Sequence, residues 1–426
     1  MSKKRVLVFP CGSEIGLELH RSLRYSRHFE LVGASSVEDN GEVVFSEYIS
    51  NAPFLNDDGF SDWLQRTVND HDIDIIFPAM DQAFTKIKKM ESSLNVNVVG
   101  HSAEVCELCS SKVAMYKFLE ASSILPYWTD NIDDIKQFPV FAKPDVGYGS
   151  RGVMQLSNRE QLYSARHILE ATPYVYCEYL PGDEYTVDCF TDRHQRLLFA
   201  GARRRTRVLN GISARTEPVQ LTDEFLDAVA QLNNKIPFRG AWFCQFKRDI
   251  NGQLKLLEVA ARFGGSSSLY RVKGINFALL TLFDYLGYDV NVLENDINLI
   301  QERSLDIKFK TDINFDHVYV DYDDCLIIDG KYNYKLMSLL YKFKDELKKV
   351  YLISRHELDL SRVVNMQFAP GFFDSVIHIT DQSPKSAYIQ SFPAIFIDDS
   401  NKERQDVAEV HKIPVFSPDG LDLFNL

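Results

Sequence analysis

A chain of 426 residues is too long for one ordinary hydrophobic core, so two or three domains are expected. Its 45% hydrophobic and 25% charged residues fit a globular protein and exclude a disordered one. The formal net charge of -13 excludes general binding to nucleic acid or an anionic membrane, because such a surface repels phosphate backbones; any phosphate site must be a local basic pocket.

The chain opens MSKKRVLVFPCG, whose apolar run is cut short by Pro10, and this reads as a first strand rather than a signal peptide. No uncharged apolar segment approaches the roughly 20 residues of a membrane helix. Seven scattered cysteines suit a reducing cytoplasm. Cys106 and Cys109 form a CxxC without the second pair or histidines of a zinc site, and read as two small helix residues. After the first strand, over 5–9, the pattern predicts a helix over 15–24, a strand over 30–34, a helix over 62–69 and strands over 73–77 and 96–99. This alternation signals a mostly parallel α/β unit ending near Gly100. A helix over 112–121 follows, and then strands over 174–178, 185–190, 196–200, 241–247 and 254–259, which read as antiparallel. A third unit begins after the polar stretch 308–316, with strands over 317–320, 350–353 and 394–397 and a helix over 334–348.

The run VFAKPDVGYGSRGV carries Lys143 from a strand into a loop containing Gly147, Gly149, Ser150 and Gly152. Its glycines leave backbone N–H groups free to surround phosphate, in an order that is neither that of a P-loop nor that of a dinucleotide fold. If this unit takes ATP, the phosphates need cations, adenine an apolar slot with backbone partners, ribose a carboxylate, and magnesium oxygen ligands. Lys112 and Lys143 are the candidate cations. The strand-to-bend segment VYCEYLPGDE, with an acidic residue on each side, is a suitable hinge for adenine and ribose. Gln245 and Glu258 lie on two strands joined at Asn251-Gly252, so a hairpin would set both oxygens beside one metal.

In this order the motifs resemble the ATP-grasp enzymes of the carbamoyl phosphate synthetase and D-alanine-D-alanine ligase superfamily, over roughly residues 1–303. The resemblance implies an α/β architecture with a preATP-grasp Rossmann-like domain over 1–100 and an ATP-grasp domain over 101–310, with ATP and Mg2+ as cofactors. It puts Lys112, Lys143 and the loop residues Gly147, Gly149, Ser150 and Gly152 at the phosphates, and Glu178, Tyr179 and Leu180 at adenine. Glu184 would bind ribose, Gln245 and Glu258 magnesium, and Arg262 the transferred phosphoryl group. Where the family carries a carboxylate, one residue and an asparagine, this chain reads Glu258-Val259-Ala260, and alanine brings no ligand atom. The implied chemistry phosphorylates a carboxylate to an acyl phosphate, which an amine then attacks. A carboxylate substrate needs a clamp, for which Arg203, Arg205 and Arg215 are the candidates, with Ser266 in the small-residue run 264–268. The arginine run reads equally well as a solvated strand-loop face.

In the last unit VYVDYDDCL places Asp321 and Asp323 two residues apart at a strand end, where both can converge on one phosphate. Ser354 follows the next strand, Lys385 follows Ser383-Pro384, and Asp398-Asp399 follow a third. Singly such acids are more often loop residues or helix caps; four in ordered positions, with Ser354 and Lys385, read as a site. Their order resembles the haloacid dehalogenase (HAD) superfamily of phosphatases and implies a HAD-like Rossmannoid domain over 314–426. By that resemblance Asp321 is the nucleophile and Asp323 the general acid and base. Ser354 and Lys385 would hold phosphoryl oxygens, and Asp321, Asp323, Asp398 and Asp399 would hold magnesium. The short helical piece over 334–348 leaves little or no room for a cap, which implies an open site.

The expectation is a bifunctional cytoplasmic enzyme acting on a small-molecule carboxylate and amine and on a phosphate ester, with a homodimer as the default assembly. The alternatives are an ATP-grasp kinase coupled to the phosphatase, or a nucleotide-binding module that regulates it. Trp63, Trp128 and Trp242 read as core or interface, and Asp81, after a strand, as a cleft residue or a helix cap.

Overall fold

From Val6 onward the strand Lys4–Phe9 feeds two cores in alternation, Val6 and Val8 on one face and Leu7 and Phe9 on the other. A strand buried on both faces belongs inside a parallel sheet. In the computed structural model, which describes residues 3–147, 149, 151–209 and 211–424, it is the central strand of five. Phe29–Ala34 and Glu47–Ile49 extend the sheet on one side, Ile75–Pro78 and Asn97–Val98 on the other, all parallel. Ser13 caps the helix Glu14–Leu23 by accepting from Gly16 N–H, and Ile15, Leu19 and Leu23, four apart, bury its inner face.

Two antiparallel sheets follow. The smaller, ordered Trp128–Thr129, Tyr174–Glu178, Val140–Pro144 and Met154–Leu156, carries Lys143 opposite Val175. The larger has six strands and includes Glu184–Thr191, Leu197–Leu209, Ile212–Pro218, Gly240–Arg248 and Leu254–Ala260. The chain divides into two compact units at Leu305 and Asp306. The expected division near residue 100 falls inside the first of these, where one hydrophobic core runs from Val6 and Ile15 through Trp242 to Leu282.

His101 locks that junction. It is buried, its Nε2–H donates to Ala241 O, and its Nδ1 accepts the Arg239 N–H, both at 3.0 Å. Burial pulls its pKa down to about 4, since a second proton would remove the acceptor that Arg239 uses. The unfolded imidazole titrates near 6.5, so this stability is present above that pH and is lost as pH falls toward 4. Between pH 7 and pH 5 the first unit is expected to lose about 2 kcal/mol from this group. Urea unfolding at the two pH values should show a smaller drop in His101→Gln than in wild type; an equal drop would assign the loss elsewhere.

The second unit repeats the central-strand logic. His317–Val320 sends Val318 and Val320 to one core and Tyr319 to another. It lies between Lys349–Ser354 and Ala394–Ile397, with Ser375–His378 and Val415–Phe416 at the edges, all parallel. Among the described residues no helix is long and apolar enough to cross a membrane.

Candidate active sites

Lys112 and Lys143 reach one cavity of about 170 Å³ in the first unit. The Asp145 carboxylate accepts the Ser111 hydroxyl and the Val113 N–H, each at 2.8 Å, which ties the helix Lys112–Phe118 to the start of the glycine loop. Lys112 Nζ then donates to the carbonyl oxygens of Asp145 and Gly147 at 3.3 and 3.4 Å. Lys143 is buried, and among the described residues its ammonium has no hydrogen bond or ion pair, only the Phe141 ring 5.7 Å away. Burial pulls Lys112 below its ordinary pKa and Lys143 pushes it further down, against the attraction of Glu258. Two ammonium groups that repel one another in a partly dry cavity suit a polyanion.

Gly147 and Gly149 line the same cavity, Gly149 at φ 63°. Gly152, at φ 71°, serves the loop's packing: its carbonyl accepts the Tyr174 hydroxyl at 3.0 Å, and an added Cβ would lie 3.0 Å from Pro144 Cγ. Ser150 lies outside the described residues. At the hinge the Glu178 carboxylate accepts the Tyr127 N–H at 2.8 Å, while Tyr179 and Leu180 line the cavity beside Cys177. Glu184 pairs closely with Arg205 and lies 4.0 Å from Lys247 Nζ. Arg205 also donates to Gln245 Oε1 at 3.3 Å and Gly211 O at 2.8 Å. Gln245 and Glu258 stand directly opposite each other on antiparallel strands, so both side chains share one face. The turn that sets this register is held by the Asp249 carboxylate, which accepts the N–H groups of Asn251 and Gln253 at 2.8 Å. The lining is basic in excess, Lys112, Lys143, Arg151, Arg205 and Lys247 against Glu178, Glu184 and Glu258, within an acidic chain.

In the second unit Asp321, Ser354 and Asp398 stand at the C-terminal ends of three adjacent parallel strands. Lys385 Nζ donates to Asp398 Oδ2 at 2.6 Å and forms an ion pair with Asp321 Oδ1 at 2.7 Å. That contact lacks hydrogen-bond geometry, so the buried Asp321 oxygen has no hydrogen bond among the described residues. Burial raises the Asp321 carboxyl to about 6 against the pull of Lys385, with Asp398 adding to the rise. Burial also raises Asp398, whereas Lys385 is held above its ordinary value because its two carboxylates outweigh desolvation. Asp321, Asp398 and Asp399 each offer an oxygen within 4.8 Å of the others. Asp323 is not in that group; its carboxylate faces His356. Arg404 Nη1 donates to the carbonyls of Asp398 and Asp399, both at 2.6 Å, and Arg355 steadies the Lys385 turn through Glu403 and Ser383 O. Between Asp323 and the helix Tyr334–Asp345 the chain forms one small hairpin, Ile327–Ile328 with Lys331–Tyr332. Asp329 and Gly330 both have positive φ at its turn, the signature of an Asp-Gly hairpin that IIDGKY spells out in the sequence.

Residues 170–305 match the family described as ATP-grasp in the biosynthetic pathway with Ter operon. Similar solved structures include the biotin carboxylase domain of Hydrogenobacter thermophilus 2-oxoglutarate carboxylase with MgADP, ADP and bicarbonate, at 16% identity and TM-score 0.59 over 71% of this chain and 75% of that one. N5-carboxyaminoimidazole synthetase of Staphylococcus aureus with ADP matches at 17% identity and TM-score 0.57, over 71% of this chain and 80% of that one. An L-amino acid ligase of Bacillus licheniformis matches at 18% identity and TM-score 0.53, over 67% and 74%. Shares this large exceed the whole second unit. The chain carries the ATP-grasp fold. No curated protein sequence matches it.

Within the ATP-grasp sheet the arginine run divides its labour. Arg205 alone of the three candidates lines the cavity. Arg203 is buried and its Nε donates to the buried Asp188 at 2.6 Å, while Arg215 pairs with Glu302 at 2.8 Å and Glu217 at 3.4 Å. Neither is brought to the cavity. Arg203→Met is expected to lower unfolding free energy by about 3–5 kcal/mol, because it strands the Asp188 charge in the core; an unchanged urea midpoint would contradict this. Arg262 forks the Asp81 carboxylate at 2.7 and 2.8 Å, and Ser266 accepts from Arg303 at 3.1 Å. Asp81 begins the helix Asp81–Leu94 without capping it and does not line the cavity, so neither expected role is seen and its carboxylate is taken by Arg262 instead. Trp242 stacks on Phe238 in the core, and Trp63 packs on Phe9 and Phe60. Asp145, Lys247 and His356 went unread in the sequence. Asp145 had a signal, since it directly follows the Lys-Pro of the loop; Lys247 is signalled by its spacing of two from Gln245 on a strand, which puts both on one face.

Proposed function

We propose that the chain is a bifunctional biosynthetic enzyme: an ATP-dependent carboxylate-amine ligase acting through an acyl phosphate, joined to a magnesium-dependent phosphatase acting through an aspartyl phosphate. The observation that carries the ligase half is the buried Lys143, without a hydrogen bond or ion pair among the described residues, sharing a cavity with Lys112 and with the cross-strand pair Gln245 and Glu258. Lys112, Lys143 and the loop N–H groups hold the ATP phosphates, and the Cys177 to Leu180 hinge takes the adenine. Glu184, oriented by Arg205, takes the ribose hydroxyls. Glu258 and Gln245, whose oxygens share one strand face, would hold a magnesium ion, and bound there it would neutralise phosphate charge. Ala260 adds no ligand atom to this pair. The protein's catalytic work is positioning and charge neutralisation, with the carboxylate attacking the terminal phosphoryl group and the amine then displacing phosphate. The ligand-bearing neighbours, named with ADP, and the amino acid ligase support this reading.

For the phosphatase half the support is the cluster of Asp321, Asp398 and Asp399 at the ends of adjacent parallel strands, with Lys385 ion-paired to two of them. Asp321 Oδ1, ion-paired with Lys385 and without a hydrogen bond among the described residues, fits a metal or phosphoryl group, and magnesium held by Asp321, Asp398 and Asp399 would shield phosphate charge from the nucleophile. Asp321 attacks phosphorus, Lys385 and Ser354 hold the non-bridging oxygens, Asp323 protonates the leaving oxygen, and Asp323 as carboxylate then takes a proton from the water that displaces phosphate from Asp321.

Incubation with MgATP and mixed carboxylates and amines, read by mass spectrometry, should give ADP, phosphate and a new amide. A phosphorylated product without phosphate release would instead assign a kinase.

A further inference from the structure

We propose that His356 is the positioning residue for Asp323, holding the proton-donating carboxyl group so that protonation of the ester's leaving oxygen depends on this imidazole. The inference rests on the phosphatase reading. His356 Nδ1 lies 3.0 and 2.8 Å from the two Asp323 oxygens, a hydrogen-bonding contact that fixes the plane of the carboxyl group. The Asp323 side chain is 48% exposed and without this contact would be free to rotate, whereas that of His356 is only 16% exposed. Its ring meets the Tyr322 ring edge-on at 5.0 Å, its carbonyl accepts from His378 Nε2 at 2.8 Å, and the Tyr322 hydroxyl is itself anchored on Gln367 at 2.6 Å. His356 also stands two residues beyond Ser354, so the strand that brings a phosphoryl-binding hydroxyl to the site brings the imidazole with it.

The step it serves is balanced. An Asp321 oxygen forms a bond to phosphorus as the phosphorus-to-leaving-oxygen bond breaks, and the Asp323 proton passes to that leaving oxygen, releasing a neutral alcohol and leaving Asp323 as carboxylate. A nitrophenolate leaves without help, but an alkoxide needs the proton. Loss of Asp323 positioning therefore injures alkyl esters selectively, which a general disturbance of the fold does not.

The test compares kcat/KM for 4-nitrophenyl phosphate and for glycerol 2-phosphate, both with Mg2+, in the full chain. His356→Ala is expected to lose at least tenfold more on the alkyl ester than on the aryl ester. His356→Asn, whose side-chain amide can hydrogen-bond the Asp323 carboxyl group from the place of Nδ1, is expected to recover most of that difference. In an Asp323→Ala background, His356→Ala should add no further selectivity. Equal losses on both esters, or none, would overturn the inference while leaving the phosphatase reading intact. Wild type inactive on both esters, or turnover retained in Asp321→Asn, would instead remove the phosphatase reading and this inference with it.

Discussion

Asp321→Asn is expected to lower phosphatase turnover by at least ~10³-fold, because the amide keeps the shape of the carboxylate but lacks the anion that attacks phosphorus. The second unit should stay folded. Burial raises the Asp321 carboxyl to about 6, well above its unfolded value near 3.9, so the folded protein carries a cost for ionising it that grows as pH rises through that interval. Asparagine removes that cost, and Lys385 keeps its 2.6 Å bond to Asp398. At pH 7 the variant should unfold at an equal or higher urea concentration than wild type. Lost turnover with a lowered midpoint would make Asp321 a structural residue.

Lys143→Met gives the second large effect, in the opposite unit. Removing one preorganised cation from the phosphates is expected to slow ATP-dependent turnover about 10²- to 10³-fold. The same change should raise stability, since a buried ammonium without a hydrogen bond or ion pair among the described residues costs free energy that a thioether does not. Activity falling while the unfolding midpoint rises marks a site whose charge is kept for a ligand. A fall in both would show that Lys143 supports the fold.

The sequence carried the parts of this architecture that depend on local pattern. Apolar runs ending in Asp321, Ser354 and Asp398 placed those residues at strand ends, because a strand buried on both faces must be continuously hydrophobic. The Gln245 and Glu258 hairpin was legible from its Asn-Gly turn. The arginine run was not, because strand alternation sends Arg203 and Arg205 to one face and only tertiary packing decides that buried Asp188 claims the first while the cavity keeps the second. The strand Leu197–Leu209 also extends well beyond the five residues that hydrophobicity marked, since its outer half is arginine paired in the sheet. Asp323 facing His356 rather than joining the acidic cluster is a rotamer outcome, invisible to spacing.

One comparison tests the central claim that a single polypeptide builds two independent phosphoryl pockets. MgATP binding by calorimetry and 4-nitrophenyl phosphate turnover are measured on wild type, Lys143→Met and Asp321→Asn. Each folded variant should lose one property and keep the other. Loss of both properties in either folded variant, or of neither in both, would contradict the account.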